Sequence, residues 1–127
     1  MPKKILITCN DPNVLELLAL SLKIGGFEVR CAIDAPSSME FIDSNPPDLF
    51  LIDLVLPLLD GLKFTHWLRN DKKLQQPILL MTPVDIDALE GCSLEGLRCE
   101  ILPEPFRMQA LLDRVSALLS VSDAKRL

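Results

Sequence analysis

Apolar residues in this chain fall into five short runs, separated by stretches in which they recur every three or four positions. The runs are Ile5-Leu6-Ile7, Phe27-Glu28-Val29-Arg30-Cys31, Leu49-Phe50-Leu51-Ile52, Ile78-Leu79-Leu80-Met81 and Cys99-Glu100-Ile101-Leu102. Runs without polar alternation suit strands buried on both faces, the environment of a parallel sheet covered by helices. The second run alternates, which suits an edge strand. Between the runs, Val14, Leu15, Leu18 and Leu22 predict a first helix, opened by Asp11-Pro12 and stopped by Gly25-Gly26. Met39, Phe41 and Ile42 mark a second helix, opened at Ala35-Pro36 and ended by Asn45-Pro46-Pro47. Asp60-Gly61 leads into a third with Leu62, Phe64, Thr65 and Leu68 inward, running into the polar segment 69–76. A fourth is expected over 84–96 on Ile86, Leu89 and Leu94, interrupted by Gly91, and a fifth on Met108, Leu111, Leu112, Val115 and Leu118-Leu119. Five strands alternating with five helices predict one α/β domain over 1–120, with 121–127 a tail or the start of a linker.

Composition narrows the function classes. At 127 residues, 49% of them apolar and 24% charged, the chain can bury one core and is no disordered segment. A net charge of -5 gives no electrostatic reason to bind nucleic acid or an anionic membrane directly. The apolar runs are too short for a membrane span, and the start MPKKILITC is too short an apolar stretch for a signal peptide, so a cytoplasmic protein is expected. Four cysteines without CxxC spacing and a single histidine, His66, argue against zinc and against a disulfide framework.

The chemistry gathers at one edge of the expected sheet. Cys9-Asn10-Asp11 follow the first strand, Asp53 the third, Thr82 the fourth and Glu104 the fifth, all at carboxyl ends, where open α/β sheets place their sites. A carboxylate beside a hydroxyl is a candidate phosphoacceptor, because carboxylates form acyl phosphates. Such chemistry normally also uses a divalent cation and a positive group.

Four segments, KKILITCNDP, PDLFLIDLVLPLLDG, ILLMTP and ILPEPF, resemble the bacterial response-regulator receiver (CheY-like) family, and the resemblance covers nearly the whole chain. It implies a flavodoxin-like three-layer sandwich with five parallel strands in the order 2-1-3-4-5 and five helices. It also implies that Asp53 matches the phosphorylated aspartate and Thr82 the switch hydroxyl. Expected partners are then proteins: a histidine kinase, a fused effector domain or a second copy. Several positions depart from the family pattern. Cys9 and Asn10 stand where the family has two acids that hold magnesium, and Asp11 falls one place later. Glu104 replaces the lysine before Pro105, Ile101 replaces the aromatic switch residue and Pro83 replaces a small residue.

Lost carboxylates weaken a magnesium site, and Glu104 reverses a charge beside the phosphoryl position. The expectation is therefore an atypical receiver with a degenerate magnesium and phosphorylation pocket, acting mainly through protein interaction. It would bind magnesium weakly or not at all, with Asp11, Asp53 and Glu104 as candidate ligands. Any catalysis would be confined to weak phosphorylation and dephosphorylation of itself. In this reading Asp53 hydrogen-bonds Asn10, Thr82 and local backbone. The alternative is a conventional receiver phosphorylated on Asp53 by a histidine kinase. A flavodoxin-like cofactor binder is disfavoured, because residues 8–12 lack a glycine-rich phosphate loop.

Other residues bear on partners and redox chemistry. Neighbouring acids should raise the Cys9 pKa and leave it an inert buried thiol, with a Cys9–Cys31 bond as the rival. Trp67 is either a contact anchor or a ring folded back on its helix. Leu56, Leu58 and Leu59 form either an apolar contact patch or packing beneath the next helix. Arg98 and Arg107 carry charge on the face expected to meet a partner.

Overall fold

The computed structural model describes residues 2–83 and 96–126. The apolar runs form strands β1 (Lys4–Thr8), β2 (Glu28–Ala32), β3 (Leu49–Asp53), β4 (Ile78–Thr82) and β5 (Cys99–Pro103). All pair in parallel in the order β2-β1-β3-β4-β5, the order the family resemblance implies. β2 is the exposed edge, with Glu28, Arg30 and Cys31 in solvent and the Arg30 guanidinium 5.0 Å from the Phe41 ring centre.

Helices α1 (Pro12–Ile24), α2 (Ala35–Ile42), α3 (Gly61–His66) and α4 (Met108–Arg126) cover the sheet. Successive strand residues face opposite layers, so each strand feeds two cores. On one side, Ile5, Ile7, Leu51 and Met81 pack with Leu18 and Leu22 of α1 and Leu111 and Val115 of α4. On the other, Leu6, Phe50, Ile52 and Leu80 pack with Ile42 of α2, Phe64 of α3 and Leu68. Each such side chain, fully buried, stabilises the fold by about 1.5–3 kcal/mol relative to exposure. Asp11 caps α1, its Oδ1 accepting from the amides of Asn13 (3.0 Å) and Val14 (3.4 Å). α4 continues through Arg126, across most of the segment read as a tail.

The expected helix count needs correction. There are four α-helices, not five, among the described residues, and the helix expected over 84–96 falls almost wholly on residues 84–95, outside them. The third helix is also shorter than its apolar spacing implies. After His66 the chain widens into a π-helical turn, Trp67–Asp71, in which the Lys72 amide donates to the Trp67 carbonyl at 2.9 Å. The wide turn carries Arg69 inward, to 6% exposure. There its guanidinium donates to four backbone carbonyls, those of Leu97 (2.6 Å), Leu74 (2.8 Å), Gln76 (2.8 Å) and Arg98 (3.0 Å). No helix among the described residues is long and apolar enough to cross a membrane.

Candidate functional site

The carboxyl ends of β1, β3, β4 and β5 form the candidate site. β3 ends in Asp53, whose side chain points to the same face of the sheet as Leu49 and Leu51. Its Oδ1 accepts from the Val55 amide at 3.1 Å, and its Oδ2 lies 3.7 Å from the Cys9 Sγ, which donates to it. The backbone beneath is tied across the sheet, because the Leu54 amide donates to Met81 O (2.8 Å) and the Gly61 amide to Leu54 O (2.9 Å). Gly61 has no room for a side chain: a Cβ there would sit 2.2 Å from the Asp53 carbonyl oxygen. Thr82 is fully buried at the end of β4, and its carbonyl accepts from the Glu104 amide at 2.7 Å. Glu104 precedes Pro105 through a cis peptide bond and is partly exposed.

The electrostatics of this edge are set by burial. Burial pushes the Asp53 carboxyl above its ordinary range; the Val55 amide and the Cys9 thiol pull it partly back, and the charge of Asp11 adds to the rise. Glu104 is also raised, by burial first and by Asp53 second. The Cys9 thiol is pushed up to about 11, chiefly by burial, so it stays protonated at neutral pH. A carboxyl whose pKa is higher folded than unfolded contributes stability at low pH, and this is lost as pH rises through the folded value. Asp53→Asn is therefore expected to be more stable than the parent at pH 7.5. Its advantage should shrink toward zero as the pH falls to about 4, near the unperturbed carboxyl value. Urea midpoints across that range check this, and an advantage independent of pH would sink the assignment of cost to the Asp53 charge.

The remaining predicted residues separate. Asn10 is exposed and its side-chain amide donates to Ile33 O (3.2 Å), not to Asp53, which corrects the expected Asn10–Asp53 bond. Asp11 is occupied as the α1 cap. Cys9 is buried and Cys31 exposed, and both are free thiols, so the pairing left open in the sequence is not formed. Ile101 packs partly buried against the second core. Trp67 folds back, stacked on Phe64 with ring centres 6.2 Å apart. Leu58 is exposed with φ of 69°, whereas Leu56 is buried. Arg98 donates to Gln75 Oε1 and Arg107 is exposed at the entry to α4. The Val55 amide supplies the local backbone bond expected of Asp53, whereas the inward Arg69 of the polar segment was not anticipated. Arg69 carries no local signal, since two of its carbonyl partners lie 28 and 29 residues away.

As placed, the donor set does not fit magnesium. That cation wants several oxygen ligands in near-octahedral array. Here one flanking position is a protonated thiol, the next an amide turned toward Ile33 and the third a helix cap. No group of three or more metal-ligating His, Cys, Asp or Glu side chains is assembled among the described residues.

Comparisons with known proteins bear on the pocket as well as the fold. Response regulator MprA of Mycobacterium sp. (strain KMS) is 35% identical over 119 residues, 94% of this chain and 51% of that protein. The chain thus spans about half the length of the curated relatives it matches. The crystal structure of a candidate response regulator from Chloroflexus aurantiacus J-10-fl is 33% identical, with a TM-score of 0.84, covering 94% of this chain and 99% of that one. The chemotaxis response regulator CheY4 of Vibrio cholerae shares the fold at a TM-score of 0.83 and 19% identity, over 93% of this chain and 99% of that one.

These relatives overturn the expectation of a degenerate, phosphorylation-independent pocket and favour the conventional alternative. The Response regulator receiver domain profile matches residues 5–116, most of the sheet and its covering helices, and the chain belongs to that family.

Proposed function

We propose that this domain is a phosphoacceptor that takes a phosphoryl group on Asp53 from the phosphohistidine of a histidine kinase. The observation that carries the reading is the posture of Asp53. One carboxylate oxygen is held by the Val55 amide, and the other stands at the sheet edge beside an uncharged thiol. A lone pair on Oδ2 forms the new bond to phosphorus. The phosphorus–nitrogen bond breaks, and the imidazole leaves with its electron pair. Burial leaves Asp53 the anionic nucleophile only above its raised pKa, which favours reaction at neutral over acidic pH. Glu104 adds negative charge nearby and slows loading relative to a neutral residue.

This reading places the chain in the cytoplasm, passing its phosphorylated state to a protein partner such as a fused effector or a second copy. Its own catalysis is limited to gaining and losing the phosphoryl group. Magnesium binding, weak at most, is part of the reading, and no step is routed through the cation.

The test is intact-mass analysis after exposure to a small-molecule acyl phosphate donor, with and without magnesium. A covalent mass change in the parent that begins with the gain of one phosphoryl group and is absent from Asp53→Asn is the expected result. A folded parent that gains no covalent mass change under either condition would falsify the reading.

A further inference from the structure

Asp53 stands within reach of a second nucleophile that phosphoryl acceptance does not use. The Cys9 Sγ lies 3.7 Å from Oδ2 and is fully buried at the end of the strand beside β3. The Val55 amide holds Oδ1, the atom that becomes the carbonyl oxygen once Oδ2 is phosphorylated. An acyl phosphate so placed has a thiol beside its leaving oxygen and a hydrogen-bond donor on its carbonyl, the two elements of acyl transfer. We infer that phosphorylated Asp53 acylates Cys9, forming an internal thioester that links the ends of β1 and β3 and releases inorganic phosphate. The inference rests on the phosphoacceptor reading.

The atoms balance without an outside reagent. The sulfur attacks the Asp53 carboxyl carbon and the carbon–sulfur bond forms. The bond from that carbon to the phosphorylated oxygen then breaks. The electron pair leaves on phosphate, which also takes the thiol proton. The Val55 amide meets the charge that builds on Oδ1 during the attack. The resting contact of Sγ is with Oδ2, one bond from the carboxyl carbon, so the sulfur has to swing from that oxygen onto the carbon to react. Burial of Cys9 keeps competing water from that side of the carbonyl. Cys31 and Cys99 lie on β2 and β5, and neither is bonded to Asp53.

The experiment treats the whole chain with the acyl phosphate donor, then combines intact mass with thiol counting in denaturant at mildly acidic pH. The expected product has lost one water mass and shows three titratable thiols of the four cysteines. Neutral hydroxylamine should restore the fourth, and fragmentation should place the link between Cys9 and Asp53. Cys9→Ala should never yield the dehydrated, thiol-depleted species. A parent that gains the phosphoryl mass while all four thiols still titrate overturns the thioester and leaves the phosphoacceptor reading standing. Water loss with four thiols intact assigns the dehydration elsewhere and also overturns it. Absence of both products removes the phosphoacceptor reading and the thioester with it.

Discussion

Arg69→Met is expected to lower the stability of the domain by about 3 kcal/mol or more, a large part of the roughly 5–15 kcal/mol that holds a domain together. The side chain is 6% exposed and its guanidinium serves four backbone carbonyls, two before β4 and two before β5. Burial, with the charge of Arg98 second, pushes its pKa down to about 10, so it remains cationic at neutral pH. Each bond from a charged donor contributes about 1.5–3 kcal/mol, less where a carbonyl can take water instead. Methionine fills the space and supplies no donor, so the Leu97 carbonyl, the most enclosed partner, is left unsatisfied. Lysine at the same site keeps the charge but offers a point where arginine offers a fan, and should recover only part of the loss. Urea unfolding with an unchanged slope checks this. A loss below about 1 kcal/mol for Arg69→Met would mean that water replaces these bonds at little cost.

Gly61→Ala carries the second large effect, with a sign opposite to the usual one. Glycine to alanine inside a helix ordinarily stabilises by about 1 kcal/mol. Here the added Cβ would meet the Asp53 carbonyl oxygen at 2.2 Å and the Leu54 Cα at 2.8 Å. Both are backbone atoms and cannot rotate away, so the start of α3 or the end of β3 must move. That move strains the Gly61–Leu54 bond and the Leu54–Met81 bond beneath the site. The expected cost is about 2–3 kcal/mol, the upper part of the overpacking range. Because the displaced backbone carries Asp53, phosphoryl uptake should fall along with stability. A stable, fully reactive Gly61→Ala protein would show that the approach of α3 to β3 relaxes freely and does not position the carboxylate.

Some features of this chain are legible residue by residue. Ile5-Leu6-Ile7, Leu49 to Ile52 and Ile78 to Met81 are unbroken apolar runs, and each becomes a strand buried on both faces. The alternating second run becomes the exposed edge, and Asp11-Pro12 opens α1 as a capping pair should. These readings succeed because strand burial and helix caps depend on neighbours within a few positions. Asp53 could be placed at a strand end for the same reason.

The partners of these residues belong to the tertiary structure. Arg69 lies in a segment that reads as polar and exposed, yet two of the carbonyls it serves come from Leu97 and Arg98, on the far side of β4. Asn10 is adjacent to Cys9 in sequence, but the backbone at the end of β1 sends one side chain toward Asp53 and the other toward Ile33. Hydrophobic period and capping are local, so the chain alone shows which apolar runs become strands, where α1 opens and that Asp53 ends β3. Which group touches Oδ2 and why residue 61 must be glycine emerge only where β1, β3 and α3 meet. Side-chain direction and backbone approach across elements depend on the register and packing of the folded chain, to which no short stretch of sequence has access.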